Sequence, residues 1–402
     1  MSEANKNRAP HTVDAQATLL KDLALLFLRL GTTAFGGPAA HIAMMEDEVV
    51  RRRSWLTHEQ FLDLLGVTNL IPGPNSTEMA IHIGYQQKGW AGLFAAGSCF
   101  ILPATFLVAF IAWAYVRFGT LPEVAGLLYG VKPVVIAVVL QALWGLAQAA
   151  LKTRGLIVTG LVAAALNFLG VHELVVLFGT GFAVPLYRWG IRQRQQLSAL
   201  SMTVGATAPT AAFTSVATAV TTPALVPLGL WALFLFFLKV GAVLFGSGYV
   251  LLAFLRADLV ERWRWLTEGQ LLDAIAVGQV TPGPVFTTAT FIGYLLAGPV
   301  GAVVATVGIF LPAFFFVAMS GPLVRRLRHS PVAGAFLDGV NVASLALMAV
   351  VSWQLGREAI VDFTTAALAV VSLILLMRLR LNSAWLVLGG GLVGIGITTW
   401  VR

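Results

Sequence analysis

The sequence predicts an all-α, polytopic membrane protein. Two homologous helical modules form an inverted repeat, with about 10–13 crossings and helices broken at Pro-Gly-Pro motifs. Three observations predict this. Of the 402 residues, 58% are hydrophobic and 11% charged, whereas a soluble domain carries roughly 25% charged residues. Glycine, proline and tryptophan positions recur at an offset of 210 residues. Each copy also carries a Pro-Gly-Pro inside an apolar segment.

With so few charges the surface must face lipid. Runs such as 93–116 are continuously apolar and exceed the roughly 20 residues that cross a bilayer as helix. A membrane β-barrel would need short strands of alternating polarity instead. The polar residues 1–20 lack the apolar core and cleavage site of a secretory signal, so the whole chain is expected in the mature protein. Cys99 is the only cysteine, which excludes an internal disulfide and a cysteine-based metal site. The net charge of +8 sits in short loops, where it orients the chain against anionic lipid rather than binding nucleic acid.

Arg29, Gly31, Phe35 and Gly36 align with Lys239, Gly241, Phe245 and Gly246. Trp55-Leu56-Thr57, Gln60, Asp63 and Pro72-Gly73-Pro74 align with Trp265-Leu266-Thr267, Gln270, Asp273 and Pro282-Gly283-Pro284. After a one-residue deletion, Ile83-Gly84-Tyr85 and Leu102-Pro103-Ala104 align with Ile292-Gly293-Tyr294 and Leu311-Pro312-Ala313. The organisation that follows is a polar tail over 1–20, one module over 21–194, an uncharged Ala/Thr/Ser-rich linker or extra crossing over 195–228, and a second module over 229–402. Apolar segments are expected near 22–40, 61–85, 90–116, 124–150, 155–170 and 173–187, and again near 229–249, 271–296, 299–320, 332–355, 360–377 and 383–400.

Loop lysines and arginines concentrate on the cytoplasmic side of membrane proteins. In the first copy Lys88, Lys152, Arg154 and Arg188 share one side with the N-terminus, against Arg51, Arg52, Arg53 and Arg117. This places the N-terminus in the cytoplasm. In the second copy the bias reverses, with Arg256, Arg262, Arg264, Arg378 and Arg380 on the side equivalent to Arg51–Arg53. The copies therefore prefer opposite orientations, as an alternating-access transporter with a midplane site requires. A parallel duplication with weak charge bias is the other reading.

Pro72-Gly73-Pro74 should split segment 61–85 into two half-helices of about eleven residues. Asn75, Ser76 and Thr77 follow as N-cap types. Such a half-helix turns free amides and its positive dipole end toward the break, where an oxyanion can bind. Pro282-Gly283-Pro284 repeats the arrangement, with Thr287 and Thr288 offering hydroxyls. A structural kink is the plain alternative. Phe35-Gly36-Gly37-Pro38 and Phe245-Gly246-Ser247-Gly248 are either close-packing glycines or backbone nests for an anion. Arg29 and Lys239 stand at equivalent places in apolar segments, either offsetting the charge of a bound anion or snorkelling to an interface. Lys132 is a similar cation. Glu78 is a lone intramembrane carboxyl suited to proton coupling, gating or pairing with a cation such as Arg29. Asp63 and Asp273 join it as coupling or gating candidates, or serve only the helix N-terminus. His82 reads as a packed histidine, and Glu46–Arg53 and Arg256–Arg264 as solvated interfacial stretches.

Phe35-Gly36-Gly37-Pro38-Ala39-Ala40-His41, Arg51-Arg52-Arg53-Ser54-Trp55-Leu56, Pro72-Gly73-Pro74-Asn75-Ser76-Thr77-Glu78, Gly246-Ser247-Gly248-Tyr249 and Thr281-Pro282-Gly283-Pro284-Val285 together resemble the chromate ion transporter family, in its long, two-domain ChrA-type form. The resemblance covers nearly the whole chain. It implies a multi-pass protein of the bacterial cytoplasmic membrane that exports chromate, confers chromate resistance, and needs no cofactor or metal. Sulfate or another oxyanion is the alternative substrate. A membrane-embedded enzyme such as a chromate reductase is the remote one, because the chain lacks paired cysteines, clustered histidines and a dinucleotide fingerprint. The sequence does not decide the oligomeric state, for which a homodimer is one candidate.

Overall fold

A computed structural model describes residues 20–35, 37–119, 121–200, 227–245, 250–327, 330–379 and 381–400. Among them the chain is helical throughout, with no strand. In the first module α1 (Leu20–Thr33) is followed by α2 (Gly37–Glu46), which widens into a π-helical turn, Asp47–Arg52. Then come α3 (His58–Thr68), α4 (Asn75–Phe118), α5 (Pro122–Ala150), α6 (Arg154–Phe168) and α7 (Glu173–Leu200). The second module repeats the order: α8 (Leu230–Val243), α9 (Leu251–Leu255) with a π turn at Arg256–Arg262, α10 (Glu268–Val280), α11 (Thr288–Leu327), α12 (Pro331–Ala359), α13 (Phe363–Leu379) and α14 (Ser383–Trp400). Helix α7 runs on to Leu200, past the expected module boundary at 194. Most of the expected linker lies outside the described residues.

Local sequence explains the matching starts. Thr57 caps α3 by accepting from the Gln60 amide, and the Gln60 side chain accepts from the Thr57 amide. Thr267 and Gln270 repeat this reciprocal box at α10. Helix α4 would span about 66 Å if straight, but its backbone leaves the helical region at Lys88 and Gly89. Gly89 takes a φ of +56°, which favours glycine. A Cβ on Gly84 would collide with the Gly92 carbonyl, and the reverse also holds. Residues eight apart touch only if the chain doubles back, so α4 is a tight helical hairpin of a half-helix, 75–87, and a long helix, 90–118. Ala297 and Gly298 turn α11 in the same way, with Gly293 against Gly301.

Helices α1 and α8 span only about 21 Å each, and each lies against the long arm of its own hairpin. Gly31 abuts the Phe100 carbonyl and Gly241 the Ile309 carbonyl. The expected first segments, 22–40 and 229–249, are thus half-length helices that stop at the Phe-Gly motifs. Among the described residues five helices are long and apolar enough to cross a membrane: α4, α5, α11 with its preceding turn, α12 and α14. Helices α6, α8 and α13 are shorter apolar ones. Phe106, Phe110 and Trp113 on α4 and Phe315 on α11 are exposed, as a lipid-facing surface requires.

The modules interlock. Helix α5 packs on α13 and α14, while α12 packs on α6 and α7. Gly130 meets Gly390 across one of these contacts and Gly339 meets Gly181 across its counterpart. Helix α4 packs on α11 and α5 on α12. Every large contact between modules is therefore either mirrored or made between equivalent helices, as a pseudo-two-fold axis demands.

Candidate functional site

The axis brings the two Pro-Gly-Pro breaks to the module interface. The Gly73 amide donates to the Leu244 carbonyl at 2.6 Å, and the Gly283 amide donates to the Ala34 carbonyl at 3.0 Å. Ala34 and Leu244 are equivalent positions, as are Gly73 and Gly283, so the modules exchange one hydrogen bond in each direction. Each break thereby closes on the Phe-Gly motif at the end of the other module's first helix. Phe35 is part-exposed at that end of α1 and Gly37 opens α2 with a φ of +78°. Gly36, Gly246, Ser247 and Gly248 lie outside the described residues.

In the first break α3 ends at Thr68 and α4 begins at Asn75. The expectation that Asn75, Ser76 or Thr77 caps the half-helix is corrected. Pro74 is the N-cap residue, held extended at φ −80° and ψ 98°, and no side chain caps the helix. The Pro74 carbonyl accepts from the Thr77 and Glu78 amides. The amides of Asn75 and Ser76, one and two places into the helix, have no intrahelical acceptor. They and the dipole end face the break, as the sequence predicted.

Around this end lies a buried polar group on one half-helix. Ser76, Thr77, Glu78 and His82 are each 6% exposed or less. The Asn75 side-chain amide donates to Asn69 Oδ1 at 2.7 Å. His41, from the Phe-Gly-Gly-Pro motif, spans the break. Its Nε2 lies 3.1 Å from the Ala34 carbonyl, which can only accept, and its Nδ1 lies 3.3 Å from Ser76 Oγ. Among the described residues the Thr77 hydroxyl, both Glu78 carboxyl oxygens and His82 Nε2 have no hydrogen-bond partner. The Glu78 carboxyl folds back over Gly73, filling the space a Cβ there would need.

The second break keeps the inter-module hydrogen bond but differs in local backbone and in side chains. A single 3₁₀ turn, Val285–Thr287, precedes α11. Thr287 and Thr288 were expected to offer hydroxyls; instead they donate to the Pro284 and Val285 carbonyls, each at 2.8 Å. Threonine near a helix start satisfies its hydroxyl locally in this way. Leu251, Val285, Phe286, Thr288 and Phe291 replace His41, Asn75, Ser76, Glu78 and His82. The polar half-helix thus belongs to the first module alone.

Arg29 does not pair with Glu78. Its guanidinium bonds Glu48, which also receives Arg52 and Arg53 at 3.2 and 3.3 Å. In the second module Lys239 and Arg262 share Asp258, and Lys239 stands over the Phe236 and Trp263 rings. Glu48 is 5% and Asp258 1% exposed, which corrects the reading of these stretches as wholly solvated. The signal was present at the common offset of 210, where an acid recurs beside a recurring cation. Asp273 is also more than a helix-start residue: it bonds Tyr115 at 2.8 Å and Lys132 at 3.2 Å, both from the first module. Asp63 is half-buried on α3. Pro72, Pro74, Pro282 and Pro284 form the breaks themselves. Among the described residues no group of three His, Cys, Asp or Glu side chains is placed to hold a metal. A separate polar cavity of about 290 Å³ opens between modules, lined by Glu173, Arg256, Glu261 and Arg262.

No solved structure matches this chain. It is 34% identical over 379 residues to the chromate transport protein of Cupriavidus metallidurans, covering 94% of this chain and 92% of that one. It is 32% identical over 380 residues to the chromate transport protein of Pseudomonas aeruginosa, covering 92% and 90%. An uncharacterized transporter of Bacillus subtilis, YwrA, matches at 28% over 40% of this chain and 96% of its own length, the extent of one module. Chromate transporter motifs match twice, over 21–184 and 231–395, on either side of the expected linker. With a duplicated helical module, a two-fold exchange at paired breaks and these relatives, the chain belongs to the chromate transporter family.

Proposed function

We propose that this protein exports chromate from the cytoplasm as a secondary transporter of the bacterial inner membrane, and thereby confers chromate resistance. The observation that carries the reading is the reciprocal hydrogen bond between each break and the opposite module. It gathers the half-helix starts and the Phe-Gly motifs on one axis. The substrate site is the start of α4, where the Asn75 and Ser76 amides, the Ser76 and Thr77 hydroxyls and the flanking Gly37, Pro72, Gly73 and Pro74 meet a tetrahedral dianion. Pro282, Gly283, Pro284 and Thr287 form the opposing wall. Gly36, Gly246, Ser247 and Gly248, in the same Phe-Gly motifs of the sequence, are the further substrate-binding candidates, outside the described residues. Arg29 and Lys239, the cations of the two half-length helices, would join the substrate site only on leaving Glu48 and Asp258, which hold them here. Asp63 and Asp273 act as gating groups, Asp273 through its tie to Lys132.

A cytoplasm-negative potential contributes roughly 2.3 kcal/mol per charge per 100 mV. A dianion leaving the cell gains about 4.6 kcal/mol at that potential, or about three decades of concentration ratio. Export then needs no nucleotide. The reversed loop-charge bias of the two modules favours an N-terminus in the cytoplasm and the two-fold axis in the membrane plane. Rocking of one module against the other about this axis would expose the breaks to each side in turn.

Everted membrane vesicles carrying the protein should accumulate radiolabelled chromate when energised, and Pro72→Ala should reduce this at least tenfold. Wild-type vesicles no better than empty ones would defeat the reading. Sulfate has the same shape and charge, so it is the second substrate; unlabelled sulfate competing as well as unlabelled chromate would favour a general oxyanion carrier.

A further inference from the structure

We propose that Glu78 takes up one proton for each oxyanion bound at the first-module break and releases it when the oxyanion leaves, so that the protein moves the two together. The proposal rests on the oxyanion reading of the break. Glu78 is fully buried, and among the described residues neither carboxyl oxygen has a hydrogen-bond partner. It forms no ion pair among the described residues, unlike Glu48, Asp258 and Asp273. Its carboxyl lies over Gly73, in the break itself. The Asn75 and Ser76 amides without intrahelical acceptors begin two residues further on.

An oxyanion drawn to those amides therefore arrives beside the Glu78 carboxyl. If that group is a carboxylate, two anions compete for one dipole end in a dry site, where repulsion is least screened. If it is protonated, the repulsion disappears and its O–H can donate to an oxyanion oxygen, which binds strongly to a hydrogen-bond donor. The proton comes from the aqueous phase that delivers the oxyanion and returns to the phase that receives it. Each transported dianion then carries one net negative charge instead of two.

The charged and titratable groups around Glu78 are accounted for element by element. On its own half-helix, His82 lies one turn further along the same face, with Nε2 unpartnered. On α2, His41 is held between Ala34 and Ser76. On α1, Arg29 is bound to Glu48, and on α3 are His58, Glu59 and Asp63, with His58 beside Glu46. Across the interface, Lys239 on α8 is bound to Asp258, and Asp273 on α10 to Lys132. The half-helix that opens α11 carries no charged residue from Thr288 to Gly298. Among the described residues no cation is thus positioned to pair with Glu78, so the carboxyl can share the break with an arriving oxyanion only in its protonated form. The second module shows the position without this function: Thr288 stands there, bonded to its own backbone.

The test is equilibrium binding of radiolabelled chromate to the purified full chain in detergent, from about pH 6 to about pH 9, for wild type, Glu78→Gln and Glu78→Thr. Chromate's own protonation affects all three alike, so the differences between them read Glu78. Wild-type affinity should fall by up to about tenfold per pH unit relative to both variants, as uptake of one proton requires. Parallel profiles for all three proteins would overturn the proposal. So would wild-type binding with none in either variant, because a neutral side chain must be tolerated. If none of the three binds chromate at any pH, the oxyanion reading of the break falls first and the proton proposal with it.

Discussion

Glu48 and Asp258 stand at equivalent positions, each buried at a π-helical turn and each neutralising a cation that faces it from a half-length helix. A carboxylate so buried is held by its partners, and removing its charge leaves cations without a counter-ion. Asp258→Asn should lower stability by about 2–3 kcal/mol, with Lys239 and Arg262 both released. Glu48→Gln should cost less, since Arg29 is half-exposed. Thermal unfolding in detergent checks the order of the two. Gly73 has the opposite vulnerability: its φ is +144° and a Cβ would overlap the Glu78 carboxyl. Gly73→Ala should reduce vesicle chromate accumulation at least tenfold. Gly66→Ala, on α3 where a Cβ meets nothing, should leave accumulation intact and add up to about 1 kcal/mol of stability. The glycines and prolines at the breaks were legible in the sequence because their backbone constraints are local. The ion pairs were not, because a run such as Glu46 to Arg53 looks solvated until the fold turns one face of it inward.

At the scale of elements, capping and turning are written in short motifs. The Thr57–Gln60 and Thr267–Gln270 boxes start helices of nearly equal length, so Thr57→Ala and Thr267→Ala should each cost about 1 kcal/mol. The hairpin turns at Gly89 and Gly298 escape a reading by hydropathy alone. Segments 61–85 and 90–116 were expected as separate, and the tight return between them follows only once Gly84 and Gly92 are seen to touch. Gly84→Leu should therefore destabilise the protein by several kcal/mol, the overpacking penalty of a backbone contact, with a matching loss for Gly293→Leu. A clear difference between these two in thermal unfolding would show that the hairpins are not equivalent. The breaks were predicted with their half-helices, but the cap was not. Pro74 is extended at ψ 98°, which puts the first helical residue at Asn75, so the capping types fall inside the helix and the Asn75 and Ser76 amides are left without an intrahelical acceptor.

At the scale of the molecule, duplication was plain from the 210-residue offset, while the interlock was not. Nothing local says that α5 packs on α13 and α14 of the other module, or that Ala34 and Leu244 receive the amides of the opposite breaks. Such long-range pairings depend on how helix faces fit, through contacts like Gly130 with Gly390 and Gly181 with Gly339. Because these contacts complete each module's core, 1–200 and 227–402 expressed separately should fail to give stable protein and should copurify when expressed together. Two halves that are each monodisperse alone would contradict the interlock. The side chains at the breaks lower the symmetry further, placing unpartnered polar groups on the first half-helix and, on the second, apolar residues with threonines whose hydroxyls are already bonded.

The central claim is that an oxyanion binds at the start of α4, where the modules exchange hydrogen bonds. A cryo-electron microscopy map of the full chain in saturating chromate tests it most directly. Density for a tetrahedral ion is expected beside Gly73, within hydrogen-bonding reach of the Asn75 and Ser76 amides. Density instead in the polar cavity between Glu173, Arg256 and Arg262, with the breaks closed and empty, would contradict it.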